Sequence, residues 1–233
     1  ASMQRFRETV GSQVGAPQYL ARNTRMEIKA VTNEVARYVK NPGPNVRLAV
    51  HRIWAYLKQT KHFVLTYDRR VATHQLLGYA DAEFATSNPD SRRSIGGHVF
   101  TMHGGAVSSS SKTQNAVSGS SCESELKELT RAAKIGLMLR EFMQELQLMK
   151  QDEPLTIFED NEPVKTIATT GCRNNRKGME RDAFWICEKT AAGIISPASI
   201  STNDQVADIL TKNNLTYAKF DKHRTSFGIK PPA

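Results

Sequence analysis

The chain has no apolar run that approaches the roughly 18 residues of a membrane-crossing helix, and no signal-peptide pattern at its start. No membrane association is expected from it. Cysteine is scarce: Cys122, Cys172 and Cys187 are odd in number and far apart. That spacing excludes a disulfide framework and a paired-cysteine metal site, and fits free thiols in a reducing, intracellular compartment. Acid is scarce in the first third. Residues 1–70 hold thirteen Lys and Arg against four Asp and Glu, while the remaining residues hold nineteen of each. The whole net charge of +9 is therefore concentrated there. A basic segment beside a balanced one points to a polyanion partner, most simply nucleic acid. A merely solubilising surface is the alternative reading.

What is present is the composition of a soluble globular protein, 39% hydrophobic and 24% charged over 233 residues. The first seventy residues read as helical. Thr24-Arg25-Met26-Glu27 has capping-box form, followed by Ile28, Val31, Val35 and Tyr38 or Val39 at helical spacing up to the Asn41-Pro42-Gly43-Pro44 stop. A second amphipathic stretch carries Val46, Val50, Ile53 and Leu57 on one face and Arg47, Arg52, Lys58 and Lys61 elsewhere. Such a pair of helices has little core of its own, so it is expected to lean on a neighbour while its basic residues track a phosphate backbone.

The second part alternates strands and helices. In Gly78-Tyr79-Ala80-Asp81-Ala82-Glu83-Phe84 the strand period puts Asp81 and Glu83 on one face, roughly 7 Å apart. This arrangement suits either a wet edge strand or a strand whose acids are compensated by a cation. After a turn at Ser87–Ser91 come strands at Ser94–Met102 and from Ala106 to about Ser110. Ser120 and Glu123 then cap a long helix ending near Leu146, with Leu126, Leu129, Ala133 and Leu137 as its buried stripe and Glu125 in its opening turns. Leu155–Phe158 is a buried strand running into Glu159-Asp160-Asn161, and an acid at the carboxyl end of such a strand is a usual active-site address. Helices follow from about Pro163 and from Met179 to Ala192, then a strand at Ile194–Ile200, where Pro197 argues for an edge position or a bulge. Thr202-Asn203-Asp204-Gln205 has capping form before a last helix with Asp208 in its opening turns. The order predicts an α/β sheet of mixed strand direction with flanking helices.

Four acids thus stand mid-strand, at a helix start, at a strand end and at a second helix start, with no histidine among them: Asp81, Glu125, Asp160 and Asp208. Such a set suits hard cations with oxygen ligands, Mg²⁺ above all. Two such ions about 4 Å apart stabilise both the attacking and the leaving oxygen of a phosphodiester cleavage.

The first third carries, in order, Val10-Gly11-Ser12, Tyr19-Leu20-Ala21, Asn23-Thr24-Arg25 and Tyr56-Leu57-Lys58-Gln59-Thr60-Lys61. Beyond it come Gly78-Tyr79-Ala80-Asp81-Ala82, Gly97-His98-Val99-Phe100, Ser109-Ser110-Ser111-Lys112-Thr113-Gln114, Ser120-Ser121-Cys122-Glu123-Ser124-Glu125, Asp160-Asn161 and Thr202-Asn203-Asp204-Gln205-Val206-Ala207-Asp208-Ile209-Leu210-Thr211-Lys212. In this order and spacing the chain resembles the end of a copia-type LTR retrotransposon Pol polyprotein, the last helices of reverse transcriptase followed by its ribonuclease H domain. The resemblance implies a ribonuclease H-like five-stranded sheet. It divides the chain into a basic helical end of reverse transcriptase at 1–73, a ribonuclease H-like domain at 74–213 and a poorly ordered basic tail at 214–233. It further implies that Asp81, Glu125, Asp160 and Asp208 hold two Mg²⁺ ions, with Mn²⁺ a possible substitute, and hydrolyse the RNA strand of RNA–DNA hybrids endonucleolytically. Glu125 is preferred to Glu123, because the family's catalytic Glu directly precedes the start of the buried stripe and Glu123 has a capping role. Ser109, Ser110, Lys112, Gln114 and Asn161, with Arg47, Arg52, Lys58 and Lys61, are the candidate nucleic-acid contacts. The implied partners are the hybrid and the remainder of the reverse transcriptase polyprotein; the implied location is the cytoplasm, within a virus-like particle, or the nucleus.

The chain departs from the family's pattern at several points. Phe84 and Ser109 stand where Trp is usual, Leu126 where Tyr is, and Met26 where Pro is; Lys177-Gly178-Met179-Glu180 and Phe184 replace a run with two His. There is no His between His103 and His223, so no histidine is expected to assist product release. No Tyr-x-Asp-Asp polymerase signature is present, so the chain is not expected to make DNA. The alternatives are a diverged or domesticated nucleic-acid-binding remnant and an integrase-like transferase, the latter disfavoured by its different acid order.

Overall fold

The structure, a computed structural model, describes residues 2–71, 75–84, 92–171 and 179–232, with side chains from residue 10 onward. The boundary expected at 73/74, the turn at Ser87–Ser91, Cys172, Lys177 and Gly178 lie outside those residues.

The first third is a bundle of three helices: α1 (Ser2–Asn23), α2 (Lys29–Arg37) and α3 (Pro44–Gln59). Between α1 and α2 the expected capping box does not form. Thr24 N and Arg25 N both turn back to the Leu20 carbonyl, and a 3-10 turn, Met26–Ile28, follows with no side-chain cap. Glu27 is instead buried and accepts from Arg25 Nε at 2.7 Å and from the Tyr56 hydroxyl at 3.1 Å. Burial drives its pKa up, with the Arg25 charge acting against it. The bundle has a core of its own, contrary to expectation. Val10, Val14 and Ala21 of α1 meet Ile28, Val35, Val50, Ile53 and Leu57. The unmarked helix α1 supplies the third wall that two helices alone lack.

The second part is a five-stranded sheet of β2 (Leu77–Glu83), β3 (Ile95–Met102), β4 (Gly105–Thr113), β5 (Leu155–Glu159) and β6 (Ile195–Ser199), in the order β4-β3-β2-β5-β6. Pairs β2–β3 and β3–β4 are antiparallel; β2–β5 and β5–β6 are parallel. So β2 is the central strand, and the wet-edge reading of it is set aside: Asp81 is only 3% exposed. Pro197 lies on β6, an outer strand, where its missing N–H costs no ladder bond. Helices α4 (Ser121–Glu145), α5 (Glu162–Thr170) and α6 (Glu180–Ala191) cover one face. Ser120 accepts from Glu123 N as expected, and the Glu123 carboxylate reaches back to Gly119 N at 2.7 Å. Ala80, Phe100 and Ile157 pack on that face with Leu126, Leu129, Val164 and Ile186. Each such fully buried aliphatic or aromatic side chain contributes about 1.5–3 kcal/mol.

The opposite face is closed by the end of the chain. The helix expected after Thr202–Gln205 is short, α7 (Asp208–Thr211). It is followed by α8 (Tyr217–Ser226), capped by Thr216, and β7 (Ile229–Lys230), which pairs antiparallel with β1 (Val64–Leu65). Residues 214–232 are therefore not a loose tail. Phe227 and Ile229 are fully buried with Val99, Leu210 and Met26 in a cluster built from all three stretches of the chain. Among the described residues, no helix is long and apolar enough to cross a membrane.

Candidate active site

Two registers bring the acids together. Tyr79 pairs with Phe158 across the parallel β2–β5 ladder, so two residues further along both strands are Asp81 and Asp160. Asp81 itself pairs with Gly97 of β3, and a Cβ at Gly97 would lie 2.8 Å from Leu210 Cβ and Thr211 Cγ2. The missing side chain lets α7 sit directly on the sheet. Gln205, fully buried, donates to the Ala80 carbonyl at 2.9 Å and pins the approach to α7 beside β2. Glu125 enters from the first turns of α4.

Burial, and then the neighbouring charges, set the electrostatics of these groups. Burial pushes the Asp81 carboxyl up to about 6; Asp208 and Asp160 push the same way, while Lys212 and the Thr211 hydroxyl hold it down. Burial likewise pushes Glu125 up to about 7, with Asp81 and Asp160 adding to it and a hydrogen bond from Asn161 opposing it. A fifth acid, Glu159, is buried beside them, and its pKa is raised well above the ordinary value by burial and by Glu125. Glu125 Oε2 and Glu159 Oε2 are buried without hydrogen-bond partners.

Asp208 is fully buried and differently engaged. Lys212 Nζ lies 2.6 Å from its Oδ1 and Lys219 Nζ 2.5 Å from its Oδ2, and the same Lys212 ammonium is 3.8 Å from Asp81 Oδ1. The Thr211 hydroxyl donates to Asp81 Oδ2. His223 of α8 is also buried, with both ring nitrogens unpartnered and its pKa pushed down to about 4 by burial. A histidine does come within electrostatic range of the last acid, from a position after it in the chain, and it is held neutral.

By donor chemistry the cluster fits a hard divalent cation: Asp81, Glu125 and Asp160 offer carboxylate oxygens, and the orphaned Glu125 Oε2 lacks a donor that a cation would replace. As they stand, among the described residues no three acid, histidine or cysteine side chains are close enough to hold an ion, and both oxygens of Asp208 are taken by lysines.

The other expected site residues are scattered. Ser109 binds Lys29, and Ser110 accepts from Arg131 Nη2 at 2.5 Å. Gln114 donates to the Ser124 carbonyl at 2.7 Å and accepts from Ser118. Asn161 caps α5 by accepting from Val164 N at 3.2 Å. Lys112 is exposed on β4; Arg47, Arg52, Lys58 and Lys61 are exposed on α3 and just beyond it. Sequence reasoning passed over Glu159, Thr211, Lys212, Lys219 and His223. The alternation Leu155, Ile157, Glu159 already placed Glu159 on the buried face, and Lys212 follows Asp208 at the i+4 spacing of a helix face. Lys219 and His223 have no such signal, because no apolar stripe marks their helix in the sequence.

No protein-family model matches the chain. It is 32% identical over 202 residues to the retrovirus-related Pol polyprotein from transposon TNT 1-94 of Nicotiana tabacum, which covers 86% of this chain and 15% of that polyprotein. Against the Pol polyprotein from transposon RE1 of Arabidopsis thaliana it is 27% identical over 94% of this chain, again 15% of the relative. It is 36% identical over 128 residues to secreted RxLR effector protein 161 of Plasmopara viticola, covering 55% of this chain and 89% of that protein. The chain thus spans 15% of the length of the polyproteins it matches. Solved structures that align with it include LC11-RNase H1 isolated from compost, at TM-score 0.46 and 19% identity over 60% of this chain and 94% of that one. Another is RNase H1 from the archaeon Halobacterium salinarum, at TM-score 0.42 and 16% identity over 59% and 94%. The chain is thus similar over most of its length to one segment of the Pol polyproteins of copia-like retrotransposons, and its mixed five-stranded sheet with helices over one face is the α/β form expected of a ribonuclease H-like fold.

Proposed function

We propose that the protein is the ribonuclease H of a retrotransposon reverse transcriptase and hydrolyses the RNA strand of RNA–DNA hybrids internally. The observation that carries this reading is the carboxylate cluster at the ends of the two central parallel strands, where burial raises the proton affinity of Asp81, Glu125 and Glu159 and the neighbouring acids add to it. Buried acids that oppose one another are costly to the fold unless a cation joins them.

Asp81, Glu125 and Asp160 are the residues that would hold a divalent cation, Mg²⁺ or Mn²⁺, with Asp208 joining them once its lysines release it. The chemistry supplied by such ions when bound is a water made nucleophilic at neutral pH and a stabilised 3′ leaving oxygen. Asp81 is oriented for this by the Thr211 hydroxyl, and Glu125 by Asn161. Glu159 is buried beside these acids, and burial with the Glu125 charge raises its proton affinity. No side-chain nucleophile is required. The RNA strand would be told from DNA by its 2′-hydroxyls and minor-groove shape.

A second reading, a nucleic-acid-binding remnant that no longer cuts, is favoured by the two lysines on Asp208. The experiment that separates the two is cleavage of an end-labelled hybrid with Mg²⁺ or Mn²⁺ against EDTA. Metal-dependent internal cuts, abolished in Asp81→Asn, are the expected result. Binding without cutting in either metal would leave the remnant reading, and unimpaired cutting by Asp81→Asn would remove the cluster from the reaction.

A further inference from the structure

A groove of about 400 Å³ runs between the helical bundle and the outer strand β4, and its chemistry is unlike that of the carboxylate cluster. Arg22 of α1, Lys29 and Asn33 of α2, Ser109 and Lys112 of β4 and Thr211 of α7 line it. Lys29 is nine-tenths buried, yet among the described residues no acid pairs with it. Its ammonium donates to the Ser109 carbonyl at 2.8 Å and the Ser109 hydroxyl at 2.5 Å, which uses two of its three N–H groups. Burial, and then the like charge of Arg22, lower its pKa to about 8. Glu34, which also lines the groove, is already paired with Arg37. Asn33 holds the Ser111 carbonyl at 2.9 Å, so the outward edge of β4 is capped by side chains rather than left for another strand. Buried positive charge without a counter-charge, facing a polar cavity beside further cations, is an arrangement that an anion completes.

The anion's chemistry follows from what the groove adjoins. Thr211, one of its lining residues, donates to Asp81 of the carboxylate cluster. We propose that the groove is a phosphodiester subsite, made jointly by α1, α2 and β4, that seats backbone phosphates of the same hybrid whose scissile phosphate lies at the acids. The inference rests on the ribonuclease H reading for the identity of that nucleic acid. It gives the helical bundle a share in substrate binding through α1 and α2, whereas the exposed basic residues of α3 lie outside the groove.

The test uses the full chain and a fluorescent RNA–DNA hybrid, with anisotropy read in EDTA over a range of salt. Arg22 and Lys112 are exposed, so Arg22→Ala/Lys112→Ala leaves the fold intact. It is expected to weaken binding by about tenfold at moderate salt and to lower the log–log salt slope by about 2, near 0.9 for each phosphate no longer neutralised. Arg52→Ala/Lys58→Ala on α3 removes the same charge outside the groove and is expected to change the slope by less than half as much. Lys29→Met should weaken binding to a similar degree with unaltered circular dichroism. Equal effects from the two double variants would overturn the groove as a site, as would a groove variant that binds like the wild type. Failure is separable from that of the enzymatic reading. A groove variant with unchanged binding, beside metal-dependent cutting that Asp81→Asn abolishes, sinks the groove alone. A wild type that grips the hybrid through the groove yet never cuts sinks the ribonuclease alone.

Discussion

Asp81 is a buried acid whose proton the fold resists losing. Its folded pKa, about 6, lies above the ordinary 3.8, chiefly through burial. A raised value means that the folded state holds the proton more tightly than the unfolded one. The stability this group allows is fully present below pH 4 and is lost as the pH rises through 6. Asp81→Asn removes that dependence. In EDTA the variant should come close to the wild type near pH 4 and exceed it by up to about 3 kcal/mol at pH 7.5, measured by urea unfolding at both pH values. A variant less stable at pH 7.5 than at pH 4, relative to wild type, would mean that the carboxylate is not opposed by its neighbours. Lys212 is the counterpart. Its ammonium stands between Asp208 and Asp81 in the position of a cation, 2.6 and 3.8 Å from their oxygens. Lys212→Met leaves Asp208 with Lys219 alone, and in EDTA it should cost about 1–3 kcal/mol. Added Mg²⁺ should raise the variant's melting midpoint more than the wild type's, because the ion no longer competes with an ammonium. An unchanged midpoint in EDTA would show that the ammonium does not stabilise the cluster.

Elements explain which motifs carried their meaning on the surface and which did not. Gly97-His98-Val99-Phe100 is one strand serving two faces. Gly97 admits α7; His98 Nδ1 meets Glu128 Oε1 at 2.7 Å; Val99 and Phe100 are fully buried in opposite clusters. Gly96 leaves the space that the Glu128 carboxylate occupies. A strand period, a long capped helix and an acid at the end of a buried strand are local signals, so β2, β3, α4 and β5 were legible within a residue or two. The capping box at Thr24–Glu27 was not a cap, because tertiary burial with Arg25 and Tyr56 outweighs the local hydrogen bond that Glu27 would otherwise make. The end of the chain is likewise ordered by tertiary contacts and not by local signals. Tyr217–Ser226 has no apolar stripe of its own, and it is held by the pairing of β7 with β1 more than 160 residues away in sequence. Of the site, the acids on strand ends and helix starts could be named from sequence. Lys219, reaching Asp208 from that unread helix, could not.

At the scale of the whole molecule, the stretches that sequence alone set apart share one interior. Met26 from the turn between α1 and α2, Val99 and Leu210 from the sheet and α7, and Phe227 and Ile229 from the chain's end are buried together. Lys29 and Asn33 tie α2 to β4 at Ser109 and Ser111, and Arg224 stacks over Phe63, 4.4 Å from its ring centre. With a common core and bonds across the junction, the bundle has no means of melting by itself at a lower temperature without exposing the sheet's second face. The protein is therefore expected to unfold in one cooperative transition, with calorimetric and van't Hoff enthalpies equal. Phe227→Ala, which empties a fully buried site at the far end of the chain, should cost about 3–5 kcal/mol and lower that single transition as a whole. Met26→Ala should do the same from the other end at about 2–4 kcal/mol, so that helical signal and near-ultraviolet signal fall together in both variants. Two resolved transitions in the wild type, or a Phe227→Ala variant in which the bundle melts at its original temperature, would show that the helical bundle and the sheet are independent bodies. The groove between them would then not be a fixed site.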